Sequence, residues 1–209
     1  MVIPKPGKPD YSIPKAYRPV ALLNCLGKIL EKLFATRLSF MSETHQLLHN
    51  NQIGGRQQRS AVDAAMALAH EVDEARHEKE SVSIVLMDVR GAFDNVSKPQ
   101  LIQTLTELGL PPPITSWVTH FLSNQQTALA FDGAREKLGP VQTGIPQGSP
   151  ASPILFLLYI RPLFDKLHTH LPTLWTPSYI DDVAIVVRGK NCDGAYGLRA
   201  VPSGNKDST

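Results

Sequence analysis

The sequence has few cysteines and almost no excess charge. Only 2 of its 209 residues are cysteine, which is too few for a disulfide framework and favours a reducing, intracellular setting. The formal net charge of +2 neither supports nor excludes a nucleic-acid partner, because a local basic groove can work inside a nearly neutral chain. Composition alone therefore leaves the function open.

Long hydrophobic runs, internal repeats and sustained heptads are also missing. The apolar stretch from Ile154 to Ile160 is well short of the ~18 residues that a membrane span needs, so we expect no membrane partner. The opening residues lack a charged segment followed by an apolar run, so they do not have the pattern of a secretory signal. A chain of this length can form one core or two modest lobes.

Hydrophobic periodicity predicts several helices. The first is amphipathic and runs from Leu22 to about Met41, with Lys28, Glu31 and Lys32 away from its apolar face. That apolar face contains Leu22, Leu26, Ile29, Leu30, Leu33, Leu38 and Met41. Further helices are predicted from Ser60 to about Glu78, from Lys98 to Gly109, after Pro111, and from Ile154 to about Leu167 with a kink at Pro162.

Other segments have the pattern of strands. Residues 81–88 form a short β-branched and apolar run, which predicts a buried strand that ends at Asp88. Residues 127–141 predict a strand pair that turns at Asp132-Gly133. Residues 176–187 predict two short β-rich runs that meet at Ile180-Asp181-Asp182.

Three aspartates thus lie where predicted strands end or turn. If the strand and the hairpin are neighbours in one sheet, Asp88 and Asp181 face each other and can hold two Mg²⁺ ions roughly 3.5 to 4 Å apart, an arrangement suited to phosphoryl transfer. Each motif alone also has a structural explanation, since Asp-Asp is common in surface turns and a strand-end Asp often caps the next helix. For Asp94 we expect such a local capping or surface role.

Two further segments could bind a nucleotide. Phe93, five positions after Asp88, could stack under a nucleotide sugar and exclude a 2′-hydroxyl, although core packing is the simpler explanation for an aromatic residue. The loop 144–150 is rich in Gly and Pro and offers Gln147 and Ser149 as polar groups for a nucleotide or template. In isolation this loop would be only the entry to the following helix.

Taken together and in this order, these motifs resemble motifs A, B and C of reverse transcriptases. Motif A is Met-Asp-Val-Arg-Gly-Ala-Phe-Asp at 87–94, motif B is Gly-Ile-Pro-Gln-Gly-Ser at 144–149, and motif C is Tyr-Ile-Asp-Asp at 179–182. Residues 3–8 and 17–24 resemble fingers segments of the non-LTR, LINE-like retrotransposon enzymes. Three separated matches are far less expected by accident than any one of them.

The resemblance implies an α+β, right-hand polymerase fold with an antiparallel palm sheet, in which 1–80 form the fingers portion and 81–187 the palm portion. It implies an RNA-directed DNA polymerase that transfers nucleotidyl groups with two Mg²⁺ ions, or Mn²⁺ in their place. The residues that it implicates are Asp88, Asp181 and Asp182 as catalytic metal ligands, Phe93 as the steric gate for deoxynucleotides, Gln147 and Gly148 as contacts to nucleotide and template, and Arg18, helped by Lys5, as the triphosphate contact.

The resemblance also implies an RNA template, a DNA primer and dNTPs as partners, and an intracellular, nuclear location; it leaves the oligomeric state open. We recognise no motif D, primer grip or thumb after motif C, so we expect a truncated copy without a thumb and with a disordered tail over 188–209. The alternative function is a catalytically inactive retroelement remnant that at most binds nucleic acid. A metal hydrolase is disfavoured because no His or Glu lies near either aspartate motif to activate water.

Overall fold

The computed structural model describes residues 2–13, 16–20, 24–128, 130–131, 134–135 and 137–190. The helices are α1 (Cys25–Thr44), α2 (Ala61–His77), α3 (Lys98–Glu107), α4 (Pro112–Leu122) and α5 (Ser152–His170). The strands are β1 (Val2–Pro4), β2 (Tyr17–Pro19), β3 (Ser81–Asp88), β4 (Gln126–Thr127), β5 (Ala130–Phe131), β6 (Ala134–Arg135), β7 (Gly139–Pro140), β8 (Ser178–Tyr179) and β9 (Asp182–Gly189).

A three-stranded antiparallel sheet carries the aspartate motifs. Its strand order is β3-β9-β8, and the pairing of β3 with β9 extends from Ser81 opposite Gly189 to Asp88 opposite Asp182. The predicted strand over 81–88 and the predicted hairpin at 180–182 are therefore confirmed, and so is the α+β class with an antiparallel sheet.

The apolar core is built around α5. Its residues 154–158 are all buried, and α3 and the inner face of α1 pack against the helix. α4 packs on α3, and Val183 of β9 belongs to the same core. Helix α5 has apolar residues on nearly every side, which is the pattern of a helix enclosed by its neighbours. It extends beyond the predicted bounds at both ends, and Pro162 lies inside it.

The predicted apolar face of α1 is buried only in part. Leu33 is 61% exposed, and Leu26, Ile29 and Leu30 are exposed with it, but Leu38 of the same predicted face is fully buried. Glu31, which was predicted to lie away from that face, is only 7% exposed. The buried positions are Glu31, Ala35, Leu38 and Ser42, which follow the same helical spacing. Glu31 can be buried because Ser149 donates a hydrogen bond to its carboxylate.

The prediction that β3 is a buried strand is also wrong. Leu86 is 76% exposed, and Ile84, Val85 and Met87 are exposed as well. The reason is that, within the described residues, β3 pairs only with β9 and so lies at the edge of the sheet. The Asp88 carboxylate at its end is accordingly accessible.

Smaller elements complete the structure. β1 pairs with β2, β4 with β7, and β5 with β6, all antiparallel, while the predicted turn residues Asp132 and Gly133 lie outside the described residues. β9 continues through Arg188, whose guanidinium forms ion pairs with Glu71 of α2 at 3.0 Å and with Glu80 at 3.1 Å. The rest of the predicted tail, from 191 onward, lies outside the described residues, and the division into fingers and palm at residue 80 stays a prediction.

In the described ranges, no helix is both long and apolar enough to cross a membrane.

Two leucines of α1 test its orientation in the fold. We expect Leu38→Ala to lower the free energy of unfolding by about 2–5 kcal/mol, since it deletes a fully buried side chain. Leu33→Ala, the same substitution on the exposed face, should change it by less than about 0.5 kcal/mol. Urea denaturation of both variants measures this difference, and equal losses would show that the exposed face of α1 is in fact packed.

Candidate active site

Strand pairing joins motif A to motif C. The hairpin between β8 and β9 pairs Tyr179 with Asp182 and leaves Ile180 and Asp181 in the turn. Asp182 pairs directly with Asp88, and the Val89 N–H donates to the Asp181 carbonyl at 3.2 Å. The end of the first strand and the turn of the hairpin therefore lie side by side, although ninety-odd residues separate them in the chain.

The hairpin turn contains a strained residue. Ile180 has φ 60°, a left-handed conformation that a β-branched residue seldom adopts. Such strain costs on the order of 1–3 kcal/mol and persists only where the surrounding structure over-determines the backbone. Hydrogen bonds from a neighbouring segment hold this turn in place.

The segment between α1 and α2 supports this turn. The N–H groups of Ile53 and Gly54 both donate to the Ser178 carbonyl, at 2.9 and 3.1 Å, and the Ser178 N–H donates to Asn51 O at 2.8 Å. Gln52, which is fully buried, donates from Nε2 to Leu157 O at 2.8 Å and so anchors the segment to α5.

Gly54 makes the closest approach to the turn. A methyl group at this position would lie 2.5 Å from Ile180 N and 2.6 Å from Tyr179 Cα, closer than van der Waals contact allows. The backbone can therefore pack against the hairpin only because Gly54 has no side chain.

Motif B is attached to motif A by backbone hydrogen bonds. Gly144 N–H donates to Val96 O and Ile145 N–H donates to Phe93 O, both at 2.8 Å. Gly144 has φ 86°, and a methyl group there would lie 2.7 Å from Asp94 O. This second glycine-dependent approach fixes the loop that carries Gln147 beside the aspartates.

These contacts surround a cleft of about 580 Å³. Five side chains predicted from the sequence line it, namely Lys5, Asp88, Phe93, Gln147 and Asp181. Phe93 also packs on Phe156 of α5, with ring centroids 5.3 Å apart. The sequence left two interpretations of Phe93 open, core packing and a place in the nucleotide site, and the residue both packs on the core and lines the cleft. The cleft holds carboxylates, lysines, an aromatic ring and an amide, a mixture suited to a charged ligand with an apolar portion.

Three predicted site residues have other placements. Asp182 lines a neighbouring cleft of about 480 Å³ between α2 and the sheet, which Asp88 also borders. Gly148 lies in the turn after Gln147, with φ 108°. Arg18 belongs to β2, but its side chain lies outside the part of the chain that the structure describes.

Three cleft residues with polar side chains, Lys8, Tyr17 and Asp94, were not assigned to the site from the sequence. Lys8 and Tyr17 reach the cleft from the N-terminal segment, where β1 pairs with β2 and Lys5 N–H donates to Ala16 O at 2.8 Å. The cationic, proline-rich composition of this N-terminal segment was the sequence feature that could have indicated its place at the cleft. Asp94, for which a capping or surface role was expected, is exposed and lines the cleft as well.

The pKa of Asp181 is raised above its ordinary value. Burial is the largest cause, the nearby Asp182 and Asp88 carboxylates also raise the pKa, and a backbone hydrogen bond lowers it in part. Among the residues that the structure describes, no group of three or more His, Cys, Asp or Glu side chains is arranged to hold a metal ion. The carboxylates that line the cleft are those of Asp88, Asp94 and Asp181.

Comparison with known proteins identifies the family. Residues 3–201 match the family described as reverse transcriptase (RNA-dependent DNA polymerase). The chain is 30% identical to the "Probable RNA-directed DNA polymerase from transposon BS" of Drosophila melanogaster, over 95% of this chain and 22% of that protein. It is 28% identical to the RNA-directed DNA polymerase from mobile element jockey of the same organism, over 91% of this chain and 21% of that protein.

A third relative is the Pol polyprotein of type-1 retrotransposable element R2 from Popillia japonica, 29% identical over 80% of this chain and 23% of that protein. The predicted resemblance to non-LTR retrotransposon reverse transcriptases is thereby confirmed. The chain spans about a fifth of the length of these curated relatives.

Solved structures confirm the polymerase fold. The telomerase of Candida albicans, in complex with a fragment of telomeric RNA, superposes with a TM-score of 0.56 at 15% identity, over 77% of this chain and 30% of that one. Apo telomerase from Candida tropicalis, truncated from its C-terminal domain, gives 0.54 at 14% identity, over 80% of this chain and 35% of that one.

The close approach of Gly54 to the hairpin gives a test of the site's support. We expect Gly54→Ala to lower the free energy of unfolding by about 1–3 kcal/mol, because the added methyl group must displace the backbone of Tyr179 and Ile180. Gly139→Ala is the matched control, since a methyl group there meets nothing within 4 Å. Thermal unfolding of the two variants compares them, and a Gly54→Ala midpoint equal to that of the control would disprove the proposed support.

Proposed function

The chain belongs to the reverse transcriptase family, and from that premise we propose that it acts as an RNA-directed DNA polymerase domain. It would transfer nucleotidyl groups from dNTPs to the 3′-hydroxyl of a DNA primer on an RNA template. The observation that carries this proposal is the single cleft that Asp88, Asp181, Phe93, Gln147 and Lys5 line together.

The donor set of the cleft fits Mg²⁺, with Mn²⁺ as an alternative. Mg²⁺ in nucleotide sites is commonly bound by one or two carboxylates together with water and substrate phosphates, so Asp88 and Asp181 are a sufficient protein contribution. Asp182 would be a weaker ligand, because it lines the neighbouring cleft. When bound, two divalent ions lower the pKa of an attacking hydroxyl and neutralise the charge that grows on pyrophosphate.

The remaining cleft residues would bind and orient the nucleotide. Lys5, with Arg18 from the same β-ribbon, would hold the triphosphate through charge-assisted contacts. Phe93 would lie under the sugar and exclude a 2′-hydroxyl, since its packing on Phe156 leaves the ring little freedom to withdraw. Gln147 and Gly148 would contact the incoming nucleotide and the template.

The fingers and palm portions over 1–80 and 81–187 belong to the same proposal, as does a nuclear location like that expected for related retroelements.

Primer extension separates the polymerase function from that of an inactive remnant. Extension that depends on the aspartates supports the polymerase, whereas template binding without any extension supports the remnant.

Substitution of the aspartates tests the catalytic proposal. We expect Asp181→Asn and Asp88→Asn each to lower the primer extension rate at least about a hundredfold, because each removes a charged ligand from the cleft. Asp73→Asn is the control, since Asp73 is an exposed residue of α2 whose ion pair with Arg76 has no part in the cleft. Extension rates in Mg²⁺ on a primed RNA template provide the measurement, and an undiminished rate in Asp181→Asn would refute the assignment.

Phe93 gives an independent prediction about substrate choice. We expect Phe93→Val to raise ribonucleotide incorporation relative to deoxynucleotide incorporation about tenfold or more, because the smaller side chain leaves room for a 2′-hydroxyl. Phe121→Val, in a partly buried aromatic residue of α4 stacked on Trp117, controls for a general loss of packing. The ratio of kcat/KM for rNTP and dNTP should change in Phe93→Val alone.

A further inference from the structure

Glu31 is a buried carboxylate that lies outside the cleft. It belongs to α1 and is 7% exposed, and Ser149 of motif B is 4% exposed. The Ser149 hydroxyl donates to Glu31 Oε2 at 2.5 Å. Acidic residues are rarely buried without a partner, so this contact is what allows Glu31 to lie in the interior.

Ser149 joins this contact to the backbone of motif B. Its hydroxyl accepts a hydrogen bond from the Ala151 N–H at 3.1 Å, and its own N–H donates to Pro146 O at 3.1 Å. The Ser152 hydroxyl donates to the same Pro146 carbonyl at 2.8 Å. The two residues that flank the Gln147-Gly148 turn are therefore both held from the α1 and α5 side.

The other end of motif B is held by motif A, through the hydrogen bonds of Gly144 and Ile145 to Val96 and Phe93. Gln147 lies between these two attachments and is the motif B residue that lines the cleft. The placement of Gln147 thus depends on one attachment to the segment that follows β3 and on a second attachment that ends at Glu31.

We propose that Glu31 is a positioning residue for nucleotide binding. Through Ser149 it fixes the turn that presents Gln147 to the cleft, and it thereby sets the affinity for the incoming dNTP. The inference rests on the proposed polymerase function, because it assigns a consequence for the ligand of that same cleft. A buried Glu31 that only stabilised the fold would lower stability and leave the dNTP affinity of the folded protein unchanged.

The test compares dNTP binding among variants of the full chain at a temperature where each is folded. With Mg²⁺ present, Glu31→Ala and Ser149→Ala should each raise the dissociation constant for a dNTP about tenfold. Glu31→Gln should stay within about twofold of wild type, since its amide oxygen can accept the same hydrogen bond from Ser149. The double variant Glu31→Ala/Ser149→Ala should bind no more weakly than either single variant, because both remove one contact.

Ser42→Ala is the matched control. Ser42 is fully buried on the same face of α1, and its hydroxyl has no hydrogen-bond partner among the described residues. We expect this variant to bind dNTP like wild type. A wild-type dissociation constant in Glu31→Ala, or additive losses in the double variant, would overturn the proposal.

Hydrogen exchange tests the positioning role without any ligand. Amides of residues 144–151 should exchange faster in Glu31→Ala than in Ser42→Ala or Glu31→Gln, whereas amides of α3 should not differ among them. Absence of dNTP binding by the wild-type chain would contradict the proposed polymerase function, and the exchange comparison would then decide the positioning role. Unchanged exchange in 144–151 would overturn that role.

Discussion

The antiparallel pairing of β3 with β9 is the constraint on which the site depends. A strand pair fixes which residues are opposite, and here it fixes Asp88 opposite Asp182, with Asp181 in the adjoining turn. A shift of one residue would move each strand's side chains to the other face and separate the two carboxylates of the cleft. The Arg188 ion pairs tie the far end of β9 to Glu71 of α2 and to Glu80, the residue before β3, and so they favour the observed register.

The rest of the site is attached to this sheet by close backbone contacts. Gly54 allows the segment before α2 to lie against the strained hairpin, and Gly144 allows motif B to lie against motif A. At both positions a side chain would collide with backbone atoms, which cannot move away as a flexible side chain could. Four segments form the cleft: the N-terminal segment and motifs A, B and C. Main-chain hydrogen bonds hold them together, and glycine at positions 54 and 144 allows the close backbone approaches.

The sequence predicted the motifs and the strands that bear the aspartates, because alternating or continuous apolar runs ending in a carboxylate are local signals. It predicted that Leu38 of α1 is buried, but it did not predict that Glu31 is buried and Leu33 exposed. Glu31 can be buried because Ser149, more than a hundred residues later in the chain, donates a hydrogen bond to it. Helical periodicity describes only one helix and cannot predict such a distant partner. For the same reason Lys8 and Tyr17 were not assigned to the cleft, since the β1–β2 ribbon that brings them there is a tertiary feature.

We propose that Asp88 and Asp181 form one cation site beside a nucleotide. Binding of Mn²⁺, followed by electron paramagnetic resonance in the presence of a dNTP, measures this directly on the wild-type chain and on the two single asparagine variants. We expect saturable Mn²⁺ binding in the wild type and marked loss of binding in each variant. Full Mn²⁺ binding after replacement of either carboxylate would contradict a shared site.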